Sequence, residues 1–199
     1  MARASTAGER DGRVERGARN RERIVEALFE LVRAGELQPT AEQVAARAGV
    51  GTRTVFRHFD DMESLRAEVS ARLEEEAAPL LERTLGDGDL EQRTRDLIAG
   101  RIEFFERIAP FKSAGDLHRW RSRFLQQSHA SVVRRLRSDL VRALPELARA
   151  RPDCLEALDL VTSFEAWDRL RSEQRLGRQR ARAAIELAAL AILRDLESE

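Results

Sequence analysis

Helix-forming residues at helical spacing fill nearly the whole of this 199-residue chain. Ala, Leu, Arg and Glu dominate, and all four are strong helix formers. Strand signals are scarce, because tyrosine is absent and aromatic residues make up only 5% of the chain. Glycine and proline separate the helical stretches, and no internal repeat is visible. The pattern therefore predicts an all-α protein.

The first apolar stripe predicts a helix over residues 22–34. Five of its apolar residues recur at i, i+3, i+4, i+7 and i+8, namely Ile24, Ala27, Leu28, Leu31 and Val32. Gly35 is placed to end this helix. The next helix is predicted over residues 41–48, with Thr40 as its N-cap and Gln43 as the capping-box partner.

A sharp turn at residues 49–51 separates that helix from a short third one. We predict the third helix from Thr52, its cap, to His58, and a fourth helix that begins near Met62 after an Asp60 or Asp61 cap. A helix, a tight glycine-containing turn and a second short helix are typical of a helix-turn-helix unit. The alternative reading is a helical hairpin with no role in DNA binding.

The stretch Thr40–Leu65 resembles the TetR family of transcriptional regulators. Members show a Thr-led helix, an Ala-Gly-Val turn, a Thr-aromatic-x-His-Phe run and a Glu-x-Leu. Here these are Thr40, Ala48-Gly49-Val50, Thr54, Phe56, His58-Phe59, Glu63 and Leu65. The resemblance covers about residues 20–66. It implies a DNA-binding domain of three helices followed by a helical domain for ligand binding and dimerisation.

The resemblance also implies roles for single residues. Side chains at the start of the third helix reach base edges in such domains, and Arg53 is placed either to contact guanine or to hold a phosphate. Thr40, Thr54, Arg57 and His58 match positions that usually contact phosphates. The expected DNA-binding set is Thr40, Thr52, Arg53, Thr54, Phe56, Arg57 and His58.

Three positions depart from the family pattern. Phe56 replaces the usual tyrosine, Met62 replaces a frequent lysine, and Gly51 replaces a frequent serine. Each lost phosphate contact removes about 0.9 from the salt slope of DNA binding. Residues 1–19 are rich in Arg and poor in large apolar side chains, so we expect a disordered arm there. The arginines at and beyond the end of that arm either enter the minor groove or stay solvated. They are Arg10, Arg13, Arg16, Arg19, Arg21 and Arg23.

Residues 20–66 are thus the expected DNA-binding domain, and residues 67–199 the expected effector-binding and dimerisation domain. In the second, helices are predicted over 62–85 with a kink or division at Pro79, over 90–108, over 116–144, over 152–173 and over 178–196. Pro110 is expected to separate the second of these from the third.

The last helix is apolar over most of its circumference, and such a helix needs burial on more than one side. With the helix before it, it predicts an isologous homodimer held by a four-helix bundle. The expected interface stripe is Ile185, Ala188, Ala189, Ile192 and Leu196; Leu187, Leu190, Ala191 and Leu193 widen the apolar surface.

Seven aromatic side chains are the candidates for lining an effector pocket. They are Phe104, Phe105, Phe111, Trp120, Phe124, Phe164 and Trp167. Flat rings suit an apolar or aromatic effector. Aromatic residues at helical spacing are also common in ordinary cores, which is the competing interpretation.

Several functions are not indicated. The chain has no phosphate-binding loop, serine elbow or HExxH motif, so no enzyme is expected. Neither a cofactor nor a metal is expected: His118 and His129 are three turns apart, and Cys154 is the single cysteine. Without a long apolar run or signal sequence, we expect a cytoplasmic protein that does not enter membranes. The function expected from the resemblance is that of a homodimeric, ligand-responsive repressor. The main alternative to it is a dimeric ligand- or partner-binding protein whose DNA-binding module has weakened or been lost.

Overall fold

Every regular element of the computed structural model is helical within the residues that it describes, namely 5–82, 88–149 and 151–197. Side-chain surroundings are described for residues 15–82, 88–148 and 151–194. The all-α prediction is therefore confirmed over these ranges. The helices are α1 (Ser5–Arg33), α2 (Ala41–Ala48), α3 (Thr52–His58), α4 (Met62–Leu81), α5 (Leu90–Arg119), α6 (Arg123–Ala143), α7 (Pro152–Val161), α8 (Phe164–Asp168) and α9 (Arg178–Glu197). A 3-10 turn covers Pro145–Arg149, and a π-helical turn covers Arg169–Glu173.

The chain divides into two compact units. Unit 1 comprises the residues up to Leu73 together with Pro110–Leu125, and unit 2 comprises Glu74–Ala109 together with the residues from Gln126 onward. The core of unit 1 contains side chains from α1, α2, α3 and α4 that are nearly or fully inaccessible, among them Ile24, Leu28, Phe29, Val44, Val55, Phe59 and Leu65. The core of unit 2 contains Ile98, Phe105, Leu140, Leu144, Leu158, Trp167, Ala181 and Ala189.

Most of the predicted helix signals between Thr40 and Asp61 act as expected, with one exception at α3. The Gln43 backbone N–H donates to Thr40 Oγ1 at 3.3 Å, and the Thr40 N–H donates to Gln43 Oε1 at 2.7 Å, which completes the capping box. Gly49 ends α2 in the left-handed conformation, with φ of 64°. Asp61 caps α4, because its Oδ1 accepts from the Ser64 N–H at 2.7 Å. At α3 the N-cap is Gly51 and no side chain caps the helix. The assignment of Thr52 as the cap is therefore wrong: Thr52 is the first helical residue.

Neither of two prolines divides its helix, although the sequence predicts a kink or division at Pro79 and an interruption at Pro110. Pro79 is within α4, and Pro110 is within α5. A proline removes one backbone hydrogen bond, but packing on both sides keeps each helix continuous. Ala77 and Leu81 flank Pro79 and are buried. After Pro110, the ring of Phe111 lies 4.6 Å from that of Phe29.

Two predicted long helices are divided at serines. The expected helix over 116–144 breaks after α5, and Ser122 starts α6 by accepting the Leu125 N–H at 3.2 Å. The expected helix over 152–173 breaks at Ser163, whose Oγ accepts the Ala166 N–H at 3.1 Å. A serine oxygen that accepts a backbone N–H three residues later is an N-cap signal, and both signals sit inside amphipathic stretches.

The N-terminal segment also differs from expectation. The sequence predicts a disordered arm over residues 1–19 and a helix from residue 22, whereas α1 begins at Ser5. The physical reason is that Arg, Ala and Glu are good helix formers. A helix already nucleated by its packed end adds further residues at low cost. Residues 1–4 lie outside the described residues.

Candidate nucleic-acid interface

The turn between α2 and α3 is set by two glycines. The Val50 N–H donates to the carbonyl of Ala45 at 2.9 Å, so the turn closes back on α2. The positive φ of Gly49 is the reason for glycine there. A Cβ on Gly49 would also lie 2.7 Å from a guanidinium nitrogen of Arg23, which covers the turn from α1. Gly51 then starts α3 from an extended conformation.

Helix α3 has one buried and one exposed face. Val55 and Phe59 anchor it, at 1% and 2% exposure. Arg53, Phe56 and Arg57 occupy the opposite face, where Phe56 is 48% exposed and both arginines are exposed. Positions i, i+3 and i+4 lie on one side of a helix. We call Arg53, Phe56 and Arg57 the α3 exposed face; it offers two cations and one aromatic ring to a partner.

The threonines predicted to contact DNA lie around this face. Thr52 and Thr54 are half-buried at the start of α3. Thr40 is exposed at the start of α2, where its hydroxyl already accepts the Gln43 N–H. A threonine hydroxyl retains its own proton as a donor, so this bond is compatible with a phosphate contact.

Arg21 holds α3 against its neighbours. Its guanidinium donates to the carbonyl of His58 at 2.7 Å, pairs with Glu68 of α4, and lies 4.3 Å from the ring centroid of Phe59. One α1 side chain thereby satisfies the last carbonyl of α3 and orients the helix. Sequence reasoning counted Arg21 among the arginines near the arm and missed this role. No periodic signal distinguishes it from neighbouring arginines.

His58 is less accessible than its predicted phosphate role suggests. It is half-buried, and Nε2 is a buried atom without a hydrogen-bond partner in the structure. Burial lowers the pKa of His58, and the cations Arg57 and Arg21 lower it further. The imidazole is therefore mainly neutral at pH 7. In this arrangement Nε2 belongs to the packing of unit 1 and is turned away from solvent.

The seven aromatic candidates for a pocket are not brought together in one unit. Phe104, Phe105, Phe164 and Trp167 are buried in unit 2, at 5%, 1%, 5% and 2% exposure. The rings of Phe105 and Phe164 meet edge to face at 5.6 Å. This close packing agrees with the interpretation of these four as core. Phe111, Trp120 and Phe124 lie in unit 1 instead, where Trp120 is 75% exposed and Phe111 borders a cleft with mainly apolar walls.

Two of the five residues of the predicted dimer stripe face their own protomer. Ile185 and Ala189 are 4% and 0% exposed, Ala188 and Ile192 are half-buried, and the side chain of Leu196 lies outside the described residues. Packing within unit 2 already covers Ile185 and Ala189, so in this structure these two side chains are not presented to a second protomer. The exposed apolar face of α9 instead carries Ala183, Leu187 and Ala191, one turn apart, with Leu187 at 73% exposure. On α7, Leu160 is 69% exposed.

The remaining features are the single cysteine, possible metal ligands and possible membrane spans. Cys154 is buried. The described residues contain no group of three or more His, Cys, Asp and Glu side chains arranged to hold a metal ion. Within the same ranges, none of the helices combines the length and hydropathy that a membrane span requires.

Comparison with known proteins agrees with this geometry. Residues 24–69 match the family described as bacterial regulatory proteins, tetR family. That segment runs from α1 through α3 into α4, so it contains the whole helix-turn-helix, whereas Arg21 and Arg23 lie just before it. No protein with a curated description matches the sequence.

Solved structures with the same fold are similar over most of the chain. A transcriptional regulator from Rhodococcus sp. Rha1 is 21% identical with a TM-score of 0.69, and the match covers 88% of this chain and 96% of that one. A tetR-family transcriptional regulator from Streptomyces coelicolor is 18% identical with a TM-score of 0.71, covering 90% and 82%. A further regulator described as TetR-family, from Rhodococcus sp., has 16% identity and a TM-score of 0.65 over 87% and 98%. At these identities the likeness establishes the fold.

Proposed function

Because this chain belongs to the TetR family of bacterial regulatory proteins through its N-terminal domain, we propose that it is a repressor that binds palindromic operator DNA as a homodimer. A small effector, apolar or aromatic, releases it. The observation that carries the proposal is the α3 exposed face. Arginine is the commonest specific reader of guanine, and α3 presents two arginines after a tight turn, as a recognition helix does.

Within this face we assign different roles to the two arginines. Arg53 stands at the start of α3, where side chains reach base edges, and we propose that it reads guanine. Arg57 stands one turn later, beside the half-buried His58, and we propose that it holds a phosphate. Thr40, Thr52 and Thr54 supply further hydroxyl donors. Phe56 adds an apolar surface suited to a thymine methyl group or sugar.

Dimerisation is proposed through α7 and α9. Leu160 and Leu187 are large apolar side chains that remain exposed on unit 2, and small residues on either side of Leu187 allow a second helix to approach. Two copies related by a two-fold axis would bury this face and form a four-helix bundle. The same axis would present two α3 helices to half-sites about one helical turn apart, or a multiple of that. Operators lie on chromosomal DNA, so the proposal places the protein in the cytoplasm.

The decisive experiment is selection of bound duplexes from a random DNA pool at moderate salt. The expected result is a near-palindromic motif. With Arg53→Ala, we expect base preference to relax at one position of each half-site, by about 1–3 kcal/mol, while non-specific binding persists. Arg57→Ala is the matched control and should weaken all sequences alike. Equal weakening by both variants would make Arg53 a phosphate contact.

A weakened or lost DNA-binding function is the second candidate. Its support is the loss of two donors, since Phe56 and Met62 stand where the family usually has Tyr and Lys. If folded protein selects no motif, and a ligand extract does not restore selection, this candidate replaces the first. The recovered motif also provides the probe for an effector screen, in which an effector should lower operator affinity by about 1–3 kcal/mol.

A further inference from the structure

A cleft with mainly apolar walls lies within unit 1. It is bordered by α1, the loop that follows it, α4 and the part of α5 that belongs to this unit. On α4 the lining residues include Val69, and on α5 they include Phe111 and Ala114 on successive turns of one face. The empty space, including the open mouth, is about 480 Å³. Of the seven aromatic candidates for an effector pocket, Phe111 lines this cleft.

One cation borders the apolar walls. Arg66 of α4 is half-buried, and burial lowers the pKa of its guanidinium. Within the described ranges its guanidinium has no hydrogen bond or ion pair. Glu63, one turn earlier on α4, accepts a hydrogen bond from the Ser122 hydroxyl, so Glu63 and Asp61 attract the Arg66 cation through space without bonding to it. These two carboxylates compensate the charge in part, but none of the N–H groups of the half-buried guanidinium has a bonded acceptor in the part of the chain that the structure describes. An anion placed in the cleft would supply one and would be stabilised.

We propose that this cleft binds a small carboxylate with an apolar body. The planar fork of Arg66 matches a carboxylate, which it can bind through two parallel hydrogen bonds. The apolar walls accommodate the hydrocarbon part, and His118 lies at the edge of the same cleft. A single cation among apolar side chains favours a monoanion over a more highly charged phosphate, because only one charge is compensated.

Any effect of this ligand on operator DNA rests on the proposed function. Helix α1, which lines the cleft, also holds α3 through Arg21, so a ligand there touches an element that supports the recognition helix. Binding itself is measured without DNA, which separates failure of the site from failure of the proposed function.

The experiment uses full-length protein and hexanoate as the probe. The chain has three histidines, and only His118 borders the cleft, so spectra of isotope-labelled histidine report binding locally. His118→Gln assigns its signal. We expect hexanoate to shift the His118 signal in a saturable manner and to leave His58 and His129 unchanged. Hexanol, which has the same carbon chain without the charge, should bind at least about tenfold more weakly.

Two kinds of variant test the residues. Arg66→Met removes the charge but keeps an unbranched side chain, and should weaken hexanoate binding at least about tenfold. Ala114→Leu should abolish it by filling the cleft, and both residues favour helix. If Ala114→Leu does not fold, Ser70→Leu on the opposite wall replaces it. Arg107→Met is the control: this exposed arginine belongs to unit 2, and hexanoate affinity should stay unchanged.

The inference is overturned if hexanoate does not shift His118, or if hexanoate and hexanol bind equally. It is also overturned if Arg66→Met binds hexanoate within about twofold of the wild type, since a charge-assisted bond is worth more than that. The operator assay is then repeated with saturating hexanoate. A change in operator affinity that Arg66→Met removes would join the site to regulation, whereas binding without such a change supports the site and separates it from repression.

Discussion

Arg101 is a charged side chain in the core of unit 2, and replacing it should be costly. It is 1% exposed, and although burial lowers its pKa to about 10, it remains a cation at pH 7. Its guanidinium donates to the carbonyl and hydroxyl oxygens of Thr162 at 3.0 and 2.6 Å, and to the carbonyl of Leu136. Nε lies 4.0 Å from a carboxylate oxygen of Asp139. One side chain of α5 thus links α6 to the end of α7.

The magnitude follows from what Arg101→Met would leave behind. The three direct hydrogen bonds disappear, and Asp139, 7% exposed, keeps only the Arg142 guanidinium at 2.5 Å as a bonded partner among these groups. Removing one partner from a buried charged network costs about 3–5 kcal/mol. Typical total stabilities are about 5–15 kcal/mol, so the variant should lose a large fraction of its free energy of unfolding.

Urea denaturation at fixed protein concentration measures this loss, because the proposed dimer would make the apparent stability depend on concentration. The control is Arg107→Met on the same helix, which should change stability by less than about 0.5 kcal/mol. Adding Asp139→Leu to Arg101→Met should recover part of the loss, because it removes the carboxylate left behind. An Arg101→Met protein as stable as the control would refute the argument that this network holds α5, α6 and α7 together.

Three further outcomes follow. Thr40→Ala removes the α2 capping box and should lower the free energy of unfolding by about 1 kcal/mol in thermal denaturation, whereas Thr52→Ala, which removes no cap, should not. Folding holds the pKa of His58 below its ordinary 6.5, so the unfolded chain binds more protons just below pH 6.5. Stability should fall as the pH is lowered through that window, and His58→Gln should flatten the dependence. Leu187→Glu, alone or with Leu160→Glu, should convert dimers to monomers in sedimentation; a dimer that persists in the double variant would exclude the α7–α9 face.

The helix-turn-helix could be predicted almost residue by residue. Its boundaries rest on short-range chemistry: the Thr40 capping box spans three residues, and Gly49 needs only its own backbone conformation. All the residues that form such a cap lie within a few positions of one another in the chain. The assignment of Thr52 as the α3 cap is wrong for an equally local reason. The extended Gly51 takes the N-cap position, and a helix can begin there without a capping side chain.

The rest of the candidate sites could not be predicted in this way. Periodicity shows that α9 is apolar on several sides, but it does not tell which side meets its own protomer. Ile185 turned inward and Leu187 outward only because the rest of unit 2 covers one side of the helix. Pro79 and Pro110 lie within continuous helices for a related reason, since packing outweighs one missing hydrogen bond.

The sequence by itself therefore determined the all-α class, the resemblance of the N-terminal segment to the TetR family and the exposed face of α3, because helix periodicity, caps and turn glycines act over distances of a few residues. Only the tertiary structure decided that Arg21 clamps α3, that Arg101 is buried with its charge, and that Arg66 borders an apolar cleft. The physical reason is the same for all three arginines. The partner groups of a guanidinium come from residues far away in the chain, and a run of arginines looks alike until the fold gives each one its neighbours.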